Sequence, residues 1–105
     1  MTLSQMKSQI QKQSKGEYIM ERQVKVQFVL ITSIGKFANA ASRCACSIDV
    51  KSERQIVDGK SIVGLYALNL SEPVTVVIRA AEDNEKNNKS ADDFLEAIKD
   101  IIIEE

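Results

Sequence analysis

The sequence has no histidine and no tryptophan, and aromatic residues make up only 5% of its 105 positions. A closed zinc site needs about four ligands. Cys44 and Cys46 have neither a histidine nor a third cysteine to complete one, so we expect no metal and no cofactor. Their spacing also misses the redox C-x-x-C pattern. A reactive thiol pair is the sharper reading of these residues, and two small apolar side chains at the end of a helix the plainer one. With few aromatics, the core must be aliphatic, and a hydrophobic content of 44% is enough to build one. No apolar stretch approaches the roughly 20 residues of a membrane span. The N-terminus (Ser4, Gln5, Lys7, Ser8, Gln9) is polar and lacks an apolar run of signal-peptide length. Neither sign of charge dominates: 14 Lys and Arg stand against 15 Asp and Glu, a net charge of -1. That balance gives no reason to expect nucleic acid or an anionic membrane as the main partner. The expectation is a soluble, cytoplasmic protein with one domain.

Residues 1–19 are rich in Gln, Ser and Lys, with scattered apolar positions at Leu3, Met6 and Ile10. They read as a disordered extension, the alternative being a frayed amphipathic helix. The domain proper, 20–105, opens at Met20. Val24, Val26, Phe28 and Leu30 alternate with other residues as in a strand. Ile34, Phe37, Ala38, Ala41 and Ala45 recur at helical spacing, with Thr32 or Ser33 as cap. Ile48 and Val50 form a second strand, Ser52 to Arg54 a turn, and Gln55 to Val57 a third strand. Ser61 caps a short helix carrying Ile62, Leu65 and Leu68. Val74, Val76 and Ile78 form a fourth strand, and the charged, Asn-rich stretch from Glu82 to Lys89 reads as a solvated loop. Ser90, with Asp93 three residues on, is placed to cap a last helix bearing Phe94, Ile98 and Ile101. The order βαββαβα predicts an α+β fold, an antiparallel sheet with helices on one face.

Among such folds the segment Val57 to Leu70, V-D-G-K-S-I-V-G-L-Y-A-L-N-L, is the most specific. It resembles the region around the regulatory serine of HPr proteins, the histidine-containing phosphocarriers of the phosphoenolpyruvate:sugar phosphotransferase system. Lys60, Ser61, Ile62, Val63, Leu65 and Leu68 match that pattern, while Asn69 departs from it. The resemblance runs from about Met20 to the end. It implies an open-faced β-sandwich with a four-stranded antiparallel sheet and three helices on one face. HPr proteins carry G-[LI]-H-x-R-P-A between the first strand and the first helix, and the histidine there accepts phosphate through Enzyme I. Here the region reads Val29-Leu30-Ile31-Thr32-Ser33-Ile34-Gly35. Counting back from Ser61 without gaps puts Leu30 near the histidine's place. An aliphatic side chain has no lone pair with which to form a phosphoramidate. The sequence looks most like short, divergent members of the family that lack the histidine.

The resemblance implies that Ser61 is a phosphorylation candidate for a bifunctional HPr kinase. A phosphate at a helix start meets free N–H groups and the positive end of the dipole; the plain alternative is a helix cap. It also implies that Lys60, Ile62, Val63, Leu65 and Tyr66 form a docking surface for proteins such as Enzyme I, HPr kinase or other phosphotransferase components; the plain alternative is that Leu65 and Leu68 are core and the rest is ordinary surface. Gly59-Lys60-Ser61 is not a phosphate loop, since Arg54 stands where that motif needs glycine. The carboxylates Asp92, Asp93, Glu96, Asp100, Glu104 and Glu105 read as the solvent face of the last helix, and Asp58 beside Ser61 lacks a base partner for nucleophilic chemistry. We therefore expect no catalytic residue and no enzyme. A regulatory or docking protein is the first reading, and a structural remnant of the fold with no part in sugar transport is the second.

Overall fold

Alternation and helical spacing resolve into nine elements in the computed structural model, which describes residues 19–69 and 71–104. They are β1 (Met20–Val26), α1 (Ile31–Ser42), β2 (Ser47–Lys51), β3 (Ile56–Asp58), α2 (Ile62–Tyr66), β4 (Val74–Ala80), α3 (Glu85–Ala97), a 3-10 turn (Lys99–Ile101) and β5 (Ile102–Glu104). The expected extension lies outside the described residues, except Ile19, whose N–H donates to the carbonyl of Ala80 at 3.1 Å.

The sheet is antiparallel, in the order β3-β2-β4-β1-β5. Its centre is β4, paired along its whole length with β1, from Met20 opposite Ala80 to Val26 opposite Val74. Alternation sorts the two faces. Met20, Val24 and Val26 of β1, Ile48 and Val50 of β2, and Val74, Val76, Ile78 and Ala80 of β4 point into one core with the helices. On the other face Arg79 bridges two strands, with Nε 3.1 Å from Glu21 and Nη1 3.2 Å from Asp49. Val77 sits between Gln23 and Asp49 in the register of this polar face, and is buried nonetheless.

The core is not purely aliphatic. All three phenylalanines meet in it: Phe37 packs edge-to-face on Phe28 and on Phe94, with ring centroids 5.4 Å apart in both pairs. Edge-to-face contact suits the ring quadrupole, and it joins the β1–α1 connection, α1 and α3 at one point.

Several boundaries differ from the expected ones. β1 stops at Val26; Phe28 continues the inward alternation, but Leu30 is exposed and serves as the N-cap residue of α1 without a side-chain cap bond. Thr32 and Ser33 therefore lie inside the first turn instead of capping it. Ala45 lies beyond the helix and is exposed. The segment expected to be a loop supplies the first turns of α3. Asn84 caps the helix, its Oδ1 accepting from the N–H of Asn87 at 2.8 Å, and Asn87 Nδ2 in turn donates to the Glu82 carbonyl at 2.9 Å. Ser90 is thus mid-helix, and Asp93 pairs with Lys89 at 3.2 Å. At the other end, helix gives way after Ala97 to the 3-10 turn and to a fifth strand beyond the four expected. The β-branched pair Ile102-Ile103 favours extended backbone. Pairing with β1 holds it there, and Gln27 N–H donates to the Ile101 carbonyl at 2.9 Å. Glu104 is consequently a strand residue, and Glu105 lies outside the described residues.

Candidate functional site

The Ser61 region is built from a hairpin and a tight turn. β2 and β3 pair from Asp49 opposite Asp58 to Lys51 opposite Ile56. The chain then turns so closely under β2 that Gly59 N–H donates to the Ile48 carbonyl at 2.8 Å. A Cβ on residue 59 would lie 2.6 Å from Ile48 Cγ2, so only glycine fits without displacing that core side chain. Asp58 Oδ1 accepts from the Lys60 N–H at 2.9 Å, and the Asp58 carbonyl from the Ser61 N–H at 3.0 Å. Asp58 thus shapes the turn, and its carboxylate holds backbone, not the Ser61 hydroxyl.

Ser61 stands in extended conformation at the start of α2, and its Oγ accepts from the Gly64 N–H at 3.1 Å. This is the capping geometry that the sequence pattern anticipates. Lys60 does not turn toward Ser61; its Nζ donates to the Cys44 carbonyl at 2.9 Å and so fastens the turn to the end of α1.

The five docking candidates divide. Val63, Tyr66 and Ile62 are 77%, 52% and 42% exposed, and Lys60 is exposed beside them, but Leu65 is fully buried. In a helix of five residues packed over a sheet, one apolar position must face inward. Leu65 fills it, together with Leu68 just beyond the helix, so Leu65 belongs to the core and not to the exposed patch.

A second exposed apolar group lies in the β1–α1 connection. Val29, Leu30 and Ile31 are 71%, 64% and 73% exposed, while Phe28 beside them is anchored in the core. A hollow of about 260 Å³ runs from Val29 and Leu30 past Lys36 to Ala97, Ile98 and Ile101 at the end of α3. Another, of about 380 Å³, brings Leu30 and Ile31 together with Ser71 of the α2–β4 connection. The loop and the chain leaving α2 therefore share one end of the molecule. The alternation from Val24 to Leu30 does not predict that Val29, Leu30 and Ile31 are all exposed; the signal for it is three bulky apolar residues in a row just before a helix start.

Besides Asp93, two of the carboxylates on α3 have structural partners. Asp92 pairs with Arg22 at 2.6 Å and Glu96 with Lys99 at 2.8 Å. Cys44 and Cys46 are free and buried, beyond the end of α1 and not within it. Burial, and then the neighbouring Cys44, push the Cys46 thiol up to about 11. Among the described residues, no three Cys, Asp or Glu side chains are grouped to hold a metal ion, and no helix is long and apolar enough to cross a membrane.

No curated protein matches the chain. Among solved structures, the chain is similar to that of HPr-C-His from Thermoanaerobacter tengcongensis. The two share 20% identity and a TM-score of 0.56 over 77% of this chain and 92% of that one, a likeness of fold. The sequence also matches the family described as PTS HPr component phosphorylation site over residues 32–103, which begins just after the exposed Val29–Ile31 loop. With the fold, the capped α2 and this match over more than half of its length, the chain belongs to the HPr family of the phosphotransferase system.

Proposed function

We propose that this chain acts as a docking and regulatory member of the HPr family and not as a histidine phosphocarrier. The observation that carries the reading is the pair of exposed apolar groups, Val29–Ile31 at the entry of α1 and Ile62, Val63 and Tyr66 on α2. Family members work by handing phosphate between protein partners. The chain has no histidine to hold that phosphate, and the loop offers aliphatic side chains in its place. Exposed aliphatic and aromatic side chains lose water on contact with a matching surface, so they favour a protein partner over a small polar substrate. The partners on this reading are other phosphotransferase proteins, Enzyme I and HPr kinase among them, in the cytoplasm. No catalysis by the chain itself is involved.

Ser61 is the regulatory position. Its Oγ already accepts a backbone N–H at the start of α2, so a phosphate there keeps an acceptor in place and adds charge next to Ile62 and Val63. Added charge beside an apolar contact raises its desolvation cost and weakens docking.

The test has two arms. Titration calorimetry with Enzyme I should show binding that is weakened at least tenfold by Val63→Asp or Leu30→Asp, with the fold retained by circular dichroism. Intact-mass measurement after incubation with ATP and HPr kinase should show one phosphate on the wild type and none on Ser61→Ala, with an authentic HPr as control. Absence of both binding and phosphorylation would overturn the reading in favour of a fold remnant outside sugar transport.

A further inference from the structure

Cys44 and Cys46 flank the bend that carries the chain from α1 into β2. Ala45 between them is exposed and both thiols are buried, so the two sulfurs fall on the same side of the chain. One residue separates them in the chain, and both side chains enter the same core. Residues two apart can separate by no more than about 7 Å even in a straight chain, and the bend at Ala45 shortens that distance toward the Cα range of disulfides.

The two sulfurs are not equally placed. A hollow of about 270 Å³ between the end of α1 and α3 opens onto Cys44, with Ala40, Arg43, Ser90 and Phe94 around it, whereas Cys46 lies behind and does not line it. Each thiol is also tied to α3. Cys44 Sγ is 3.7 Å from the Ser90 carbonyl and accepts from Ser90 Oγ at 3.5 Å, and Cys46 Sγ donates to the Asn87 carbonyl at 3.5 Å.

We propose that Cys44 and Cys46 are a modification site that closes to an intrachain disulfide when the protein meets a small-molecule disulfide such as oxidised glutathione. The Cys44 sulfur, as thiolate, attacks one sulfur of the reagent. The reagent's S–S bond breaks, and the first small thiol leaves with the proton that Cys44 gave up. The Cys46 sulfur then attacks Cys44, forming the Cys44–Cys46 bond and releasing the second small thiol with the Cys46 proton. Each cysteine is oxidised by one electron, and the reagent is reduced to two thiols. Burial holds Cys46 in its protonated form, so Cys44 makes the first attack and Cys46 resolves it.

Closure consumes both S–H groups, and α3 loses two contacts with the α1–β2 bend. It also moves the Cys44 carbonyl, which holds Lys60 Nζ at 2.9 Å one residue from Ser61. The inference does not depend on what docks at α2.

The test incubates the folded full chain with oxidised glutathione at mildly alkaline pH, then denatures and alkylates it and measures intact mass. The wild type should lose two hydrogens, take up no alkyl group and revert with dithiothreitol. Cys46→Ser, with Cys46→Ala as the apolar version for a buried position, should stop at a stable glutathione adduct on Cys44, and Cys44→Ser should remain unmodified. Wild type alkylated at both cysteines would overturn the proposal, as would failure of both Cys46 variants to take up glutathione.

Discussion

Arg22 of β1 reaches across to α3, with Nη1 2.6 Å from Asp92 Oδ1 and Nη2 2.7 Å from Asn88 Oδ1. It stands on the inward side of the strand with Met20, Val24 and Val26, so its stem crosses apolar surface before its head meets the helix. Arg22→Ala should therefore cost more than the ion pair alone, about 1–2 kcal/mol, because packing of the stem is lost as well. Asp92→Asn should cost about 0.5 kcal/mol, as expected for a solvent-exposed partner. Urea unfolding of the two variants measures the difference, and equal losses would mean that the stem contributes nothing.

Phe37 is the hinge of the aromatic trio and is fully buried. Phe37→Ala should destabilise by about 3–5 kcal/mol. Phe37→Leu should recover much of that loss, but not the edge-to-face contacts, which are worth about 0.5–1.5 kcal/mol per pair. Thermal unfolding of the two variants together checks the ranking.

Ser61→Ala removes the only side-chain acceptor at the start of α2 among the described residues and should lower stability by about 1 kcal/mol. Ser61→Asp keeps an acceptor at the same place and should be near wild type. If Ser61→Asp were as unstable as Ser61→Ala in chemical denaturation, the cap would not be what Ser61 contributes.

The Cys46 thiol is raised from an ordinary 9.0 to about 11 by burial, then by Cys44, against a smaller opposing effect of Lys60 and Arg22. Between those values the unfolded chain gives up this proton while the folded chain keeps it, so unfolding is favoured as pH rises. The contribution to stability is intact below pH 9 and is lost as pH climbs toward 11. Stability measured across that range should fall less steeply in Cys46→Ala than in the wild type, and identical slopes would count against the buried thiol as the cause.

How much of this was legible in the sequence depends on what set each feature. β2, β4 and the capped start of α2 follow from local signals: strict alternation at Ile48, Val50, Val74, Val76 and Ile78, and a serine before Ile62. The HPr resemblance rested on Lys60 to Leu68, and the family match agrees with it. What escaped was decided elsewhere in the fold. The alternation in β1 continues through Phe28 and Leu30, but β4 begins at Val74 and pairs only as far as Val26. The stretch from Glu85 to Lys89 has no apolar face, so its polar composition reads as loop. It is nonetheless helical, because Asn84 caps it and α3 is held further along by Ala91 and Phe94. Leu65 and Leu68 are readable as core, but Ile62 shares their helical spacing, and only the packing of α2 over the sheet leaves Ile62 exposed while Leu65 is buried.

The position of β1 bears on how the protein is made. This strand lies between β4 and β5, so among the described residues the first strand of the sheet pairs only with the last two. On a ribosome its apolar residues Val24 and Val26 wait for Val74–Ala80 and then for Ile102–Glu104 to emerge. The sheet is consequently a structure of high contact order that closes only once β4 and then β5 are available. Until β4 emerges a nascent chain carries β1 as an unpaired apolar strand, which makes Val74–Ala80 as important to solubility during synthesis as it is to the finished structure.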